Sequence, residues 1–102
     1  MRRTDGWVVR LDAPGGPEEG PRVAVKDAIA VAGLPTRVGS LATPDTPAAA
    51  DAPCVAAVRR AGGRIVGTTA LTELCWDESG INEAFGTPVN PLDAALVPGG
   101  SS

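Results

Sequence analysis

Few residues in this 102-residue sequence could do chemistry, and their types exclude several kinds of site. The chain has no histidine, so it cannot supply a Ser-His-Asp triad or a histidine ligand for a metal. Its two cysteines, Cys54 and Cys75, stand alone without the paired spacing of a zinc site. We interpret both as small, buried apolar side chains, and we expect no metal site.

The remaining candidates are carboxylates, hydroxyls and one lysine at a strand end. Glu73, Asp77 and Glu78 form an acidic cluster, which we interpret as a solvated helix end and not as a carboxylate pair for acid-base work. Residues 99–102 read Gly-Gly-Ser-Ser, which is not a phosphate-binding loop because no Gly-Lys-Ser/Thr follows. Taken alone, this end is typical of a flexible tail, and Lys26 is typical of a surface lysine.

The elements that would position these residues begin with three strands. Apolar residues, alternating or continuous, predict strands at 6–11, 22–27 and 64–68. Residues 12–21 are rich in Gly, Pro and Glu and predict a loop, and residues 39–50 are expected to be irregular.

The clearest helix begins after Asp51, which we expect to be its N-cap, with Pro53 in the first turn. Val55 and Val58 recur at helical spacing and predict one apolar face. Two glycines at 62–63 predict its end.

A second, short helix is predicted over 71–75, with Leu71, Leu74 and Cys75 facing inward, and the rest of the chain is expected to be loop. The order strand, strand, helix, strand, short helix predicts an α/β fold. These strands are too few to build a complete sheet covered on both faces.

Three stretches together resemble the amidase signature family. Each is a weak match on its own, but all three in this order are a strong match. They are Val-Ala-Val-Lys-Asp at 23–27 followed by Val-Ala-Gly at 31–33 and Thr36; residues 51–63 with Ile-Val-Gly at 65–67; and Phe-Gly-Thr-Pro-Val-Asn-Pro at 85–91 ending in Pro-Gly-Gly-Ser-Ser at 98–102. The resemblance covers residues 22–102, and the 75-residue step from Lys26 to Ser101 fits the family's arrangement. The short leader at 1–21 is more similar to the plant indole-acetamide hydrolase branch than to members with a long helical N-terminus.

The resemblance implies an amidase that hydrolyses a carboxamide C–N bond to an acid and ammonia or an amine, without a cofactor. Lys26 matches the family's catalytic lysine and Ser101 its bridging serine, with Ser102 and Gly100 as secondary site residues. The implied fold is a mixed β-sheet covered by helices, incomplete here. The family's nucleophilic serine and oxyanion turn lie beyond Ser102, so we expect the isolated chain to be inactive.

A lysine can replace histidine as a base only when it is neutral. The ordinary lysine pKa is about 10.4, so neutrality at pH 7 costs roughly 4–5 kcal/mol, which desolvation must supply. A bridging hydroxyl both donates and accepts, so it can relay the proton. In the family an unusual cis peptide bond precedes the bridging serine. We predict that the Gly100–Ser101 bond is trans or disordered here, because nothing holds a free chain end.

Two other interpretations stay open. A separate chain could bring the nucleophile, as in a split amidase or amidotransferase complex, or residues 1–102 could form a small, non-catalytic α/β binding domain. Our first interpretation remains that residues 1–102 are the N-terminal segment of one amidase domain, with 1–21 as leader and 22–102 as the family-like part.

The net charge of −3 argues against nucleic-acid binding, and no apolar run approaches membrane-spanning length. We expect a cytoplasmic protein whose partner is a small amide.

Overall fold

A computed structural model of the chain describes residues 2–11 and 20–102. Within these ranges the elements are β1 (Arg3–Thr4), β2 (Trp7–Arg10), β3 (Arg22–Lys26), α1 (Pro53–Arg60), β4 (Arg64–Thr69), a 3₁₀ turn (Glu73–Cys75) and β5 (Thr87–Pro88). The three strands predicted from the sequence are therefore confirmed as β2, β3 and β4. Most of the predicted loop, residues 12–19, lies outside the described residues.

The main sheet has three strands in the order β2-β4-β3. β4 pairs antiparallel with β2 and parallel with β3, so the sheet is mixed, as expected for this α/β fold. β1 and β5 form a second, parallel pair, and β5 lies in the stretch from residue 76 onward that we expected to be loop. Each is two residues long, too short to produce an alternating pattern.

The centre of β4 lies very close to β2. A Cβ added to Gly67 would meet the Val9 carbonyl oxygen at 2.2 Å and the Trp7 ring at 2.9 Å. The pairing of β4 with β3 also shifts register here, since Val23 pairs with Ile65 and Ala24 with Gly67. Glycine lets the two backbones approach where the register shifts.

Helix α1 closes one face of the sheet over a small aliphatic core. Val55 of the helix, 3% exposed, packs with Val25, Val31 and Ile65, which are also buried. Packing of this kind contributes roughly 1.5–3 kcal/mol for each buried valine or isoleucine. No helix in the described residues is both long enough and apolar enough to cross a bilayer.

The start of α1 differs from our expectation, because Asp51 is not its N-cap. Ala52 takes that position without a side-chain cap, since Pro53 already occupies the first helical turn and has no N–H to satisfy. The Asp51 carboxylate instead accepts a hydrogen bond from the Ala32 N–H at 2.8 Å and from Arg59 Nε at 2.9 Å. It therefore ties the helix to the preceding loop.

The short helix predicted over 71–75 is only a 3₁₀ turn. Leu71 is buried, as expected, but Leu74 is 54% exposed and Cys75 is exposed. Leu74 has a φ of 54°, and its N–H donates to the Val38 carbonyl at 2.8 Å, a distant contact that replaces a helical one. Cys54 is also exposed, so our prediction of two buried cysteines was wrong.

Asp27 gives the fold a pH dependence that can be measured. Its side chain is 1% exposed, Oδ1 has no hydrogen-bond partner, and Oδ2 accepts only from the Arg37 N–H at 3.3 Å. Burial, which outweighs the effect of Arg37, raises the pKa of Asp27 above its ordinary value of 3.8. The folded chain then binds this proton more tightly than the unfolded chain. We expect its contribution to the free energy of unfolding to fall as pH rises from below 3.8 through the folded-state pKa.

Asp27→Asn should remove that fall, which urea denaturation over about pH 3–7 would measure. Asp51→Asn is the matched control, because the pKa of Asp51 is shifted in the opposite direction from that of Asp27. The Ala32 N–H, and then Arg59, lower the pKa of Asp51, so its stabilising contribution is present above 3.8 and is lost as pH falls through the folded-state pKa. Identical pH profiles for wild type and Asp27→Asn would contradict this prediction.

Candidate functional site

Lys26 is positioned by the pairing of two strands. It is the last residue of β3 and pairs with Thr69, the last residue of β4. The next residue, Asp27, extends the pairing, because its N–H donates to the Thr69 carbonyl at 3.1 Å. The Lys26 side chain is half-buried, and its Nζ donates a hydrogen bond to Ser101 Oγ. The fold therefore brings together the two residues singled out as catalytic, 75 positions apart.

Ser101 is held by the loop that follows β4. The Thr72 N–H donates to the Ser101 carbonyl at 2.8 Å, and the Gly99 N–H donates to the Ser79 carbonyl at 3.0 Å. The Gly100–Ser101 bond is cis, so our prediction of a trans or disordered bond was wrong. The prediction assumed a free chain end, whereas hydrogen bonds hold the segment on both sides of Gly100.

The two secondary residues occupy different surroundings. Gly100 packs on the loop, where an added Cβ would lie 2.8 Å from the Gly80 nitrogen and 3.0 Å from Thr72 Oγ1. A side chain at position 100 would therefore displace the loop. Ser102 is exposed and lies at a cavity of about 400 Å³ that is also lined by Asp5 and Thr69.

The acidic cluster does not converge on Lys26 by any hydrogen bond or ion pair within the described residues. Glu73, Asp77 and Glu78 are all exposed, as a solvated group should be. Asp77 Oδ1 accepts from the Ser79 N–H at 2.7 Å and from the Ser79 hydroxyl at 2.6 Å. These bonds shape the turn before Gly80.

Sequence reasoning missed the residues that hold Ser101, namely Thr72, Ser79 and Gly80. One signal was available for Thr72, a polar residue directly after the apolar Ala70-Leu71 and itself 4% exposed. A buried hydroxyl needs a partner, and Thr72 Oγ1 accepts from the Gly80 N–H at 3.0 Å. The partner lies eight residues away, so no local pattern identifies it.

The Lys26–Ser101 pair has the geometry of a proton relay. A neutral amine can accept a proton from the Ser101 hydroxyl while that hydroxyl accepts one from a third group, and the exchange can run in reverse. Lys26 is half-buried beside apolar residues, including Val25 and Ile29, that line the adjoining groove. An amine and a hydroxyl in hydrogen-bond contact are the types of group that can activate a hydroxyl nucleophile as base and relay.

Known proteins are similar to this chain over most of its length. The family model described as Amidase matches residues 10–102. Amidase 1 of Oryza sativa subsp. japonica is 41% identical over 88 residues, covering 84% of this chain and 20% of that protein. The fatty-acid amide hydrolase 2-A of Danio rerio is 43% identical over 84 residues, covering 81% of this chain and 16% of that protein.

A solved structure shares the fold over nearly the whole chain. It is a glutamyl-tRNA(Gln) amidotransferase subunit from Thermotoga maritima, which superposes with a TM-score of 0.84 at 30% identity and covers 95% of this chain and 22% of that one. The chain thus spans about a fifth of the length of the proteins it matches.

Proposed function

The chain belongs to the amidase family, and from that premise we propose that it supplies the base and the relay serine of an amide-hydrolysing site. The observation that carries the proposal is the hydrogen bond from Lys26 Nζ to Ser101 Oγ. Lys26 is paired with β4 and Ser101 is bound by the loop that follows β4, so backbone hydrogen bonds hold both residues close to the contact.

In the proposed reaction, a serine outside residues 1–102 attacks the carboxamide carbon. Its proton passes to Ser101 while the proton of Ser101 passes to the Lys26 amine, a C–O bond forms, and the π pair of the carbonyl moves onto its oxygen. The tetrahedral intermediate then expels ammonia or an amine, which takes the proton back through Ser101 as the C–N bond breaks. Water hydrolyses the acyl ester by the same relay, which releases the acid and restores the serine.

We propose further that residues 1–102 are the N-terminal segment of a single amidase domain, with 1–21 as leader and 22–102 as the family-like part. Large apolar side chains left in solvent support a covering by further chain, since Trp76 is 86% and Leu92 is 93% exposed. The free cysteines, Cys54 and Cys75, support a reducing, cytoplasmic location. The relatives that the chain resembles, Amidase 1 and the fatty-acid amide hydrolase 2-A, do not place it specifically in the indole-acetamide hydrolase branch.

Membership of an amidotransferase complex is the second candidate. The superposition on the amidotransferase structure from Thermotoga maritima favours it. The same Lys26–Ser101 chemistry would then release ammonia for transfer by a partner chain. Ammonia release that depends on a co-purifying partner would favour this candidate, whereas release without a partner favours the simple hydrolase.

A chimaera tests the proposed function. Residues 22–102 replace the matching segment of the Danio rerio fatty-acid amide hydrolase 2-A, and ammonia release from a fatty-acid amide is measured. We expect the chimaera to be active and Ser101→Ala to lower its kcat/KM by about 10²-fold, because the relay is lost. The 102-residue chain alone should release no ammonia from a panel of primary amides.

Arg22→Ala is the control for this experiment, since Arg22 is an exposed cation at the opposite end of β3. The same replacement and variants are also made in Amidase 1 of Oryza sativa, so that inactivity caused by one incompatible recipient protein can be recognised. Folded but inactive chimaeras in both recipients, or full activity of Ser101→Ala, would refute the proposal.

A further inference from the structure

We propose that Thr72 is a positioning residue that sets Ser101 against Lys26, an inference that rests on the function proposed above. Thr72 touches neither the amine nor the hydroxyl of the pair by a hydrogen bond. It acts through the backbone on either side of Gly100. Three connections transmit its effect, from β4 to Thr72, from Thr72 to Gly80, and from Gly80 to the 99–100 backbone.

The first connection is a single stretch of chain that fixes both members of the pair. Thr69 at the end of β4 pairs with Lys26, and Thr72 follows three residues later. The Thr72 N–H donates to the Ser101 carbonyl at 2.8 Å. The separation between the two anchor points is therefore set by the short path from Thr69 to Thr72.

The second connection is the Thr72 side chain, which holds the turn on which the tail lies. It is 4% exposed, and its Oγ1 accepts from the Gly80 N–H at 3.0 Å. The Ser79 hydroxyl, then the Ser79 N–H and, more weakly, the Thr72 hydroxyl hold the pKa of Asp77 below its ordinary value. By accepting from Gly80, the Thr72 hydroxyl links the two ends of the 72–80 loop.

The third connection is the fit of Gly80 against the tail. A Cβ on Gly80 would lie 2.2 Å from the Gly99 carbonyl oxygen, and its φ of +77° also favours glycine. Gly100 also approaches the Gly80 nitrogen closely, since its own added Cβ would lie 2.8 Å away. Any shift of Gly80 is therefore transmitted to Gly100 and on to Ser101.

The test uses the 102-residue chain itself, in which Lys26 is the sole lysine. Lysine labelled with ¹³C and ¹⁵N gives one set of side-chain signals, so a nuclear Overhauser contact between Lys26 and Ser101 can be assigned directly. We expect wild type and Thr72→Ser to show this contact and Thr72→Val to lose it. The amide signals of Val25 and Ile65 report whether the sheet stays folded.

Asp77→Ala keeps the proposal testable should Thr72→Val fail to fold, because Asp77 is exposed and its loss frees the Ser79 turn. We expect this variant to weaken the Lys26–Ser101 contact, and Asp45→Ala, at an exposed site elsewhere, to leave it unchanged. An intact contact in the folded Thr72→Val and Asp77→Ala variants would overturn the proposal, as would its absence from wild type.

The result separates this inference from the proposed function. A contact that depends on Thr72, combined with full activity of the Ser101→Ala chimaera, would leave the positioning role standing and refute the catalytic one. A contact independent of Thr72, combined with an inactive Ser101→Ala chimaera, would do the reverse.

Discussion

Lys26→Ala in the Danio rerio chimaera is expected to lower kcat/KM for amide hydrolysis by about 10³- to 10⁴-fold. The substitution removes the proposed base, so the proton of the attacking hydroxyl would have no acceptor at the end of the proposed relay. Ser101 would also lose the Nζ donor that orients its hydroxyl. The loss should fall on kcat, measured from initial rates of ammonia release, because Lys26 is proposed to act on the proton and not to bind the substrate.

Lys26→Arg tests whether the site needs a proton acceptor at this position or only a positive charge. Arginine places a cation and hydrogen-bond donors at this position, but a guanidinium stays protonated in proteins and cannot accept a proton. We therefore expect Lys26→Arg to be as inactive as Lys26→Ala, while Arg22→Ala keeps the activity of the parent chimaera. Substantial activity in Lys26→Arg would show that a positive charge, and not a base, is what the site requires.

Gly67→Ala is expected to destabilise the chain by about 4 kcal/mol or more, a large part of a small domain's total stability. The added Cβ would lie 2.2 Å from the Val9 carbonyl oxygen, a backbone atom that cannot move without separating β2 from β4. The φ of +147° at Gly67 adds a conformational penalty for alanine. Urea denaturation followed by circular dichroism would measure the loss.

Gly33→Ala is the matched control, because Gly33 also has a positive φ, +83°, but its added Cβ would meet nothing within 4 Å. We expect Gly33→Ala to lower the free energy of unfolding only by the conformational penalty of alanine at a positive φ, about 1–2 kcal/mol. The difference between the two variants isolates the steric cost of the close approach between strands. A Gly67→Ala chain as stable as Gly33→Ala would mean that β2 does not pack on β4 as described.

The strands could be predicted from the sequence because their signals are local. The alternation of side chains with a period of two residues predicts that Val25 lies on the inward face of its strand, and Val25 is buried. The meeting of Lys26 and Ser101 could not be predicted this way. Nothing in the 75-residue step between them encodes a contact, and the expectation came from resemblance to a family.

Three of the errors share one physical cause, which is hydrogen bonding between distant parts of the chain. Leu74 leaves the helical conformation as its N–H binds the Val38 carbonyl, and the Gly100–Ser101 segment is ordered by the 72–80 loop. Asp51 binds Ala32, nineteen residues away, and does not cap the helix beside it. Patterns of polarity within a short window carry no information about such partners.

Only three residues separate Thr69 from Thr72, so we expect that the chain cannot change length between them without affecting the Lys26–Ser101 pair. Inserting or deleting one residue there would shift the Ser101 anchor along the sheet by about 3.3 Å relative to Lys26, enough to disconnect the pair without altering either residue. Leu41 and Asp45 are exposed and make no hydrogen bond to Lys26, Ser101 or the 72–80 loop among the described residues, so an insertion beside them should leave the pair in contact.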